Sequence, residues 1–348
     1  MLTSKTFQIV MAGIVALSAA AGARAADLVK VRVGVTSSSS DAGFFIADKK
    51  GYFRKEGLEV TLISFDSAAK MVAPLGVGQL EVGGGAPSAG LYNALSRGID
   101  IRIVADKGST PPGYDYQPLL VRKDHIDSGR YKSLKDLKGM KIAGSSLGSG
   151  SNSALNEGLK QGGVKYSEVE RVFMAFPQHV LALQNKAVDA AVTTEPSATQ
   201  AVQSGAAVRV LGKETMYPNQ QVAVVLYGGA FIKNQPDVAR RFMRAYVAAL
   251  RDYNDALKEG RLAGPRSEEV ISILTEYTNV KDPAVYRMIT PHGANPNGRV
   301  HRPSLNNDLQ FFKDQGDVKG TISVEDAIDI SFVEAAVKDL GPYTPMTR

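Results

Sequence analysis

One order of elements occurs twice in this chain at a fixed spacing. Val31-Arg32-Val33-Gly34-Val35 and the run from Met140 to Gly144 begin 109 residues apart, and so do Pro87-Ser88-Ala89 and Pro196-Ser197-Ala198. In each half the first segment reads as a short strand and the second opens a helix. Further strands are expected at 58–64, 81–84 and 101–105 in the first half, and at 172–176 and 188–192 in the second. Helices are expected between them, at 41–50, 68–75 and 87–98 and after Ser149 and Pro177. Short apolar strands alternating with helices argue for parallel sheets with crossover helices. A shared offset across both halves argues for two lobes of like topology.

The lobes need connections. Thr110-Pro111-Pro112-Gly113-Tyr114-Asp115-Tyr116-Gln117-Pro118 carries the prolines and glycine of a link, not of an element. The strand Leu119-Leu120-Val121 leaves it. A second apolar strand, 222–227, follows the second lobe. These two segments are expected to form paired hinge crossings. Beyond them the chain reads as helical, at 236–258, 267–277, 304–314 and 323–340, and is expected to return over the first lobe. Pro236-Asp237 opens the longest of these helices, with Pro early and an acid at the positive end. The domain reading is a signal peptide at 1–25, lobe 1 from 26–117 and 223–348, and lobe 2 from 118–222.

Composition narrows the function. There is no Cys among the 348 residues, which excludes disulfides, thiolate metal sites and lipid attachment through an N-terminal Cys. The net charge of +6 is dispersed, and no basic block alternates with aromatics as a nucleic-acid surface requires. The four His do not stand in a metal-ligand spacing, and no nucleophile elbow or P-loop is present. Catalytic residues, metal and cofactor are therefore all expected to be none.

The binding chemistry lies in the turns from strand to helix. The stretch 148–153 reads Gly-Ser-Gly-Ser-Asn-Ser, at the start of a helix. A helix start presents unpaired N–H groups and a partial positive charge, and it attracts electron-rich groups. One hydroxyl suffices for a cap; Ser149, Ser151 and Asn152 exceed that need. Similar material occurs at 37–41, 66–67, 85–88 and 193–196. Parallel sheets collect such turns at one edge, so two facing lobes would aim them into one cleft.

The stretch from Gly43-Phe44-Phe45-Ile46-Ala47 through Lys50-Gly51-Tyr52-Phe53-Arg54-Lys55-Glu56-Gly57-Leu58-Glu59-Val60 resembles the N-terminal signature of periplasmic substrate-binding proteins. That family serves ABC importers for sulfonates, taurine, nitrate and thiamine-pyrimidine precursors. Leu137-Lys138-Gly139-Met140-Lys141-Ile142-Ala143 and Thr194-Glu195-Pro196 resemble its second-lobe entry and its acidic corner. The resemblance covers the mature chain. It implies the α/β two-lobed type II periplasmic binding protein fold with two hinge strands. It also implies that Ser39, Asp41, Ser88, Ser149, Ser151, Asn152 and Glu195 line the cleft. Asn152 stands where many relatives carry His, and Thr194 where they carry Trp. Tyr114 and Tyr116, or Phe44 and Phe45, are the candidates for aromatic walls.

Glu195 has two readings. Facing the cleft, it favours a ligand with N–H or ammonium groups, since a carboxylate only accepts hydrogen bonds. In the first turn of its helix it is a dipole partner. The ligand classes left open are an organic acid, a zwitterion and a nitrogen heterocycle.

The expected partners are this small molecule and the ABC permease and ATPase subunits. Membrane contact is expected only through the permease, and the protein is expected to be a monomer. The alternatives are a periplasmic ligand-sensing subunit and an enzyme of the thiamine-pyrimidine synthase type, which carries a Cys-rich motif this chain lacks.

The expected location is the periplasm. Lys5, the apolar run 9–21 and Ala23-Arg24-Ala25 form the pattern of a cleaved signal. N-terminal sequencing of mature protein from a periplasmic extract should begin at Ala26; an intact Met1 in a membrane fraction would contradict this.

Overall fold

The computed structural model describes residues 28–212 and 216–346. The expected signal peptide lies outside these residues. Two five-stranded mixed sheets form the framework. The first contains β1 (Val29–Val35), β2 (Leu58–Ser64), β3 (Val82–Gly85), β4 (Ile101–Gly108) and β10 (Ala223–Gly228), in the order β2-β1-β3-β10-β4. The second contains β5 (Leu119–Arg122), β6 (Lys141–Gly144), β7 (Glu170–Phe173), β8 (Ala190–Val192) and β9 (Ala207–Leu211), in the order β7-β6-β8-β5-β9.

The two orders are the same once each strand is matched to its counterpart. β1 runs parallel to β2 and β3, as β6 does to β7 and β8. β10 lies antiparallel between β3 and β4, and β5 lies antiparallel between β8 and β9. The repeat seen in the sequence is thus a repeat of topology. The segments expected as hinge strands become β5 and β10, the first strands after each crossing. Each sits inside the sheet it enters, because an apolar strand needs both edges paired and both faces covered. The crossings themselves are the loops before them. β9 went unread in the sequence because Ala207-Val208-Arg209-Val210-Leu211 is short and carries a charge.

Several boundaries differ from expectation. The 41–50 and 68–75 helices each begin as a 3-10 turn, at Ser39–Asp41 and Ala68–Met71. The 236–258 helix stops at Asp255 and a two-strand hairpin follows. The 323–340 segment is a 3-10 turn at Glu325–Ala327 and then a helix at Ser331–Leu340. Among the described residues, no helix is long and apolar enough to cross a membrane.

Phe44 and Phe45 belong to the core. The Phe44 ring lies 5.1 Å from Tyr246 and the Phe45 ring stacks 5.0 Å from Tyr277, so the long 236–255 helix and the 267–277 helix cap the first sheet. The helix Arg302–Asp314 does more than cover the first lobe. Phe312 packs 6.4 Å from Tyr92 of the first lobe, while Phe311 meets Tyr166 of the second edge-on at 5.1 Å. One apolar cluster therefore continues across both lobes.

The first lobe also buries a charge pair. A register shift where β4 meets β10 turns Lys107 inward, and its ammonium lies 2.8 Å from Asp41 Oδ1, both side chains having no exposure. Burial pushes the Lys107 pKa down, and Asp41 opposes that. Room for the lysine stem exists because position 84 is Gly: a Cβ there would stand 2.8 Å from Lys107 Cε and 2.5 Å from Phe44 Cε2. Removing one member of a buried pair strands the other charge. Asp41→Ala should cost about 3–5 kcal/mol by urea denaturation, and the double change Asp41→Leu with Lys107→Met should recover most of it.

Candidate functional site

The two sheets face each other across a small cavity of about 20 Å³. That is room for about one water molecule, so the lobes stand closed on each other. Its wall comes from both lobes and both crossings. The first lobe provides Thr36, Ser40, Ser67 and Ala68, the second provides Ser145, Ser149, Phe176 and Thr194, and the crossings provide Tyr116, Gln117 and Val222. No lining residue carries a formal charge at neutral pH. Burial pushes the Tyr116 hydroxyl up to about 12, so it stays a neutral phenol.

Behind this wall the polar groups form a closed ring. Lys107 Nζ donates to Ser40 Oγ at 2.8 Å, and the Tyr116 hydroxyl donates to the same oxygen at 3.1 Å. With both lone pairs of Ser40 taken, its own proton is left for Ser38 Oγ at 3.0 Å or for a ligand. Ser38 meets Thr36 Oγ1 at 3.0 Å, and Thr36 reaches Asp41 Oδ2 at 3.4 Å. Asp41 Oδ2 also accepts the Thr36 and Ser38 amides at 3.0 and 3.1 Å. Asp41 thus lies behind the cavity wall, orienting Ser40, and is not itself a lining residue.

Three lining groups stand apart from this ring. Ser67 Oγ, Gln117 Nε2 and Thr194 Oγ1 are buried without a hydrogen bond of full geometry among the described residues, although Thr194 lies close to the Tyr116 hydroxyl. A buried polar group without a partner costs about 1–3 kcal/mol, so such groups are rare unless something else satisfies them. Ser67 and Thr194 lie in turns whose composition suggested binding. Gln117 had no sequence signal: it sits in a proline-rich link and reaches the cavity only because both crossings form its floor.

The serine-glycine stretch has a double role. Ser149 lines the cavity. Ser151 sits beside it, 2.7 Å from Ser149 Oγ and 3.1 Å from Ser145 Oγ, and completes a hydroxyl triangle with Ser145 and Ser149 at 3.2 Å. Asn152 turns back to donate to Ser146 O at 2.9 Å, which holds the loop after β6. The glycines serve contact between lobes. Ser149 forms an antiparallel bridge with Ser88, Ala89 N donates to Gly148 O at 2.7 Å, and Gly150 N donates to Pro87 O at 3.0 Å. Ser88 caps the Ala89–Ser96 helix by accepting the Leu91 amide at 3.3 Å.

On the other side of the cleft the lobes meet through Glu195. Its carbonyl accepts both the amide and the hydroxyl of Ser39, each at 3.2 Å. Its carboxylate accepts the Thr199 amide and hydroxyl, each at 3.0 Å, pairs with Arg209, and lies 3.4 Å from the Thr290 amide. Arg209 also holds Asp115 at 3.2 Å. The Glu195 carboxylate therefore faces Arg209 and the first turn of its own helix. Tyr114 is half-buried and is not part of the cavity wall; its ring packs toward Gly293. Of the residues expected to line the cleft, Ser149 does so directly. Ser39, Asp41, Ser88, Ser151, Asn152 and Glu195 are gathered around it as supports and lobe contacts.

Two α/β lobes of one topology around a polar cavity define the periplasmic binding protein fold. Residues 38–258 match the NMT1/THI5-like family, and the chain belongs to that family. A protein of Escherichia coli K12 named for binding aliphatic sulfonates is 26% identical over 206 residues, covering 59% of this chain; the match spans 61% of that relative's length. The alkanesulfonate-binding protein SsuA of Xanthomonas axonopodis, solved with MOPS bound, superposes with a TM-score of 0.68 at 18% identity, over 87% of this chain and 99% of that one. The periplasmic nitrate-binding protein NrtA of Synechocystis PCC 6803 gives 0.73 at 14% identity, over 90% and 89%.

The lobe contact can be tested at Gly148, whose φ is +62° and where a Cβ would stand 2.9 Å from Ala89 Cβ. A left-handed alanine costs about 1–2 kcal/mol. Gly148→Ala should therefore speed amide exchange at Ala89 and Gly150 by roughly tenfold while leaving β1 and β2 unchanged.

Proposed function

We propose that this chain is the extracytoplasmic solute-binding component of an ABC importer, and that it captures a small polar organic ligand between its lobes. The observation that carries this reading is the cavity shared by both lobes, where Ser67 Oγ and Gln117 Nε2 lack hydrogen-bond partners among the described residues and Thr194 Oγ1 has only the nearby Tyr116 hydroxyl. Gln117 Nε2 can only donate, and Ser40 is primed to donate by Lys107 and Tyr116. The favoured ligand thus presents hydrogen-bond acceptors. An organic acid or a heterocycle with bare ring nitrogens fits this better than a group rich in N–H, because the Glu195 carboxylate is turned away toward Arg209.

The names of the relatives point to the same class. The lobes are taken as 26–117 with 223–348, and 118–222, a division that keeps each sheet whole. Capture is proposed in the periplasm, with permease and ATPase subunits as partners. A binding role, in preference to a catalytic one, is favoured by a wall of hydroxyls, one amide and apolar groups, with no side chain that titrates near neutral pH.

A thermal-shift screen of sulfonates, amino acids, aromatic carboxylates and pyrimidines tests this. A ligand at 100 times its Kd should stabilise the protein by about 2.7 kcal/mol. Ser67→Ala should then weaken that ligand about two- to tenfold if the contacted acceptor is neutral, and roughly ten- to a hundredfold if it is a charged oxygen. The ligand-free melting temperature should not fall, because the hydroxyl has no partner to lose. No response in any of the four classes, together with a destabilised Ser67→Ala, would overturn the reading.

A further inference from the structure

Asp308 is the one fully buried carboxyl in the contact between the 302–314 helix and the second lobe that the binding reading leaves unused. Its side chain has no exposure, and neither oxygen makes a hydrogen bond of full geometry among the described residues. It sits against the first turn of the helix Gly150–Gln161: a Cβ on Gly150 would stand 3.4 Å from Oδ2. The polar groups around it are largely committed elsewhere. The Tyr217 hydroxyl donates to Ser304 O at 3.2 Å, and Gln220 Nε2 donates to Gly150 O at 2.9 Å.

The titratable groups that face Asp308 from the neighbouring elements are Tyr92, Tyr217 and Glu157. None is a cation. The charged form of Asp308 therefore has no cation to offset its burial, only imperfect hydrogen bonding from Ser153, Tyr217 and Gln220 and the dipole of the 150–161 helix. The contact it occupies joins the lobes, and Phe311 against Tyr166 is part of the same seam.

We propose that Asp308 is a proton-operated latch between the lobes, neutral when the 302–314 helix is seated on the 150–161 helix and ionised when the seam opens to water. The proposal deepens the binding reading, since lobe closure is what traps a ligand. The direction follows from burial, which pushes the carboxyl up to about 7 in the closed form. Once hydrated it returns toward the ordinary value, about 3.9. Closing then takes up a proton. Closure is unpenalised below both values, weakens as pH rises between them by up to about tenfold per unit, and levels off above about 7.

The ligand-free protein suffices for the test, so its outcome does not depend on finding a ligand. The chain has no Cys, and Arg97→Cys with Lys135→Cys places one spin label on an exposed site of each lobe. Distance distributions across pH 5 to 8 should show the closed population falling as pH rises, and Asp308→Asn should remove that dependence and keep the lobes closed. An unchanged slope in Asp308→Asn would assign the effect to another group, Asp106 first, whose buried carboxyl is pushed up to about 6, and would overturn the proposal. So would a population independent of pH in the parent. If Asp308→Asn does not fold, the carboxyl carbon of Asp308 in the parent decides by NMR: titration near 7 supports the latch, and titration near 4 sinks it.

Discussion

The ion pair between Asp41 and Lys107 is the constraint around which the first lobe is arranged. Both groups are sealed from water, and neither could be buried alone. Placing the lysine requires the shift between β4 and β10, and room for its stem requires a strand with no side chain at Gly84. Holding the aspartate requires the tight turn after β1, whose amides and hydroxyls it organises. The consequence reaches the cavity, because Ser40 and Tyr116 are oriented by this ring. A positive charge thus acts on the ligand space from behind a neutral wall.

A second polar node controls how the lobes are joined. Asp106, at the end of β4, accepts from Gln221 Nε2 at 2.5 Å, from the Gly108 amide at 2.8 Å and from the Asn295 amide at 2.6 Å. Gln221 belongs to the other crossing, and its side-chain carbonyl accepts the His301 amide at 2.7 Å. The end of β4, the second crossing and the segment 295–301 are therefore one hydrogen-bonded unit. Ser88 with Ser149, and Ser39 with Glu195, extend contact between the lobes on either side of the cavity. The many hydroxyls at the strand-to-helix turns divide into those that line the cavity and those that hold one lobe to the other.

Most of the residues implied by resemblance sit beside the cavity and not in its wall, for a physical reason. A serine at a helix start, an acid before a proline and a glycine with positive φ have local signals, which are the same whether the group faces a ligand or a neighbouring lobe. Ser67 and Gln117, whose polar atoms in the cavity have no partner among the described residues, differ from their neighbours only in what surrounds them. Asp308 and Lys107 likewise look like surface charges in the sequence, since each sits in a segment with an ordinary amphipathic or strand pattern.

Periodicity and punctuation in the chain determined the alternation of strands and helices, the doubled topology, the proline-rich link and the surplus of hydroxyls at the turns. These are local properties: apolar spacing selects an element, and glycine or proline ends it. Tertiary structure alone decided that β5 and β10 lie inside the sheets, that Glu195 turns to Arg209, that Asp41 works from behind the wall, and which donors are left for a ligand. Those outcomes depend on burial and on partners far apart in the chain, and a carboxylate or hydroxyl acquires its role only when the fold determines what it can reach.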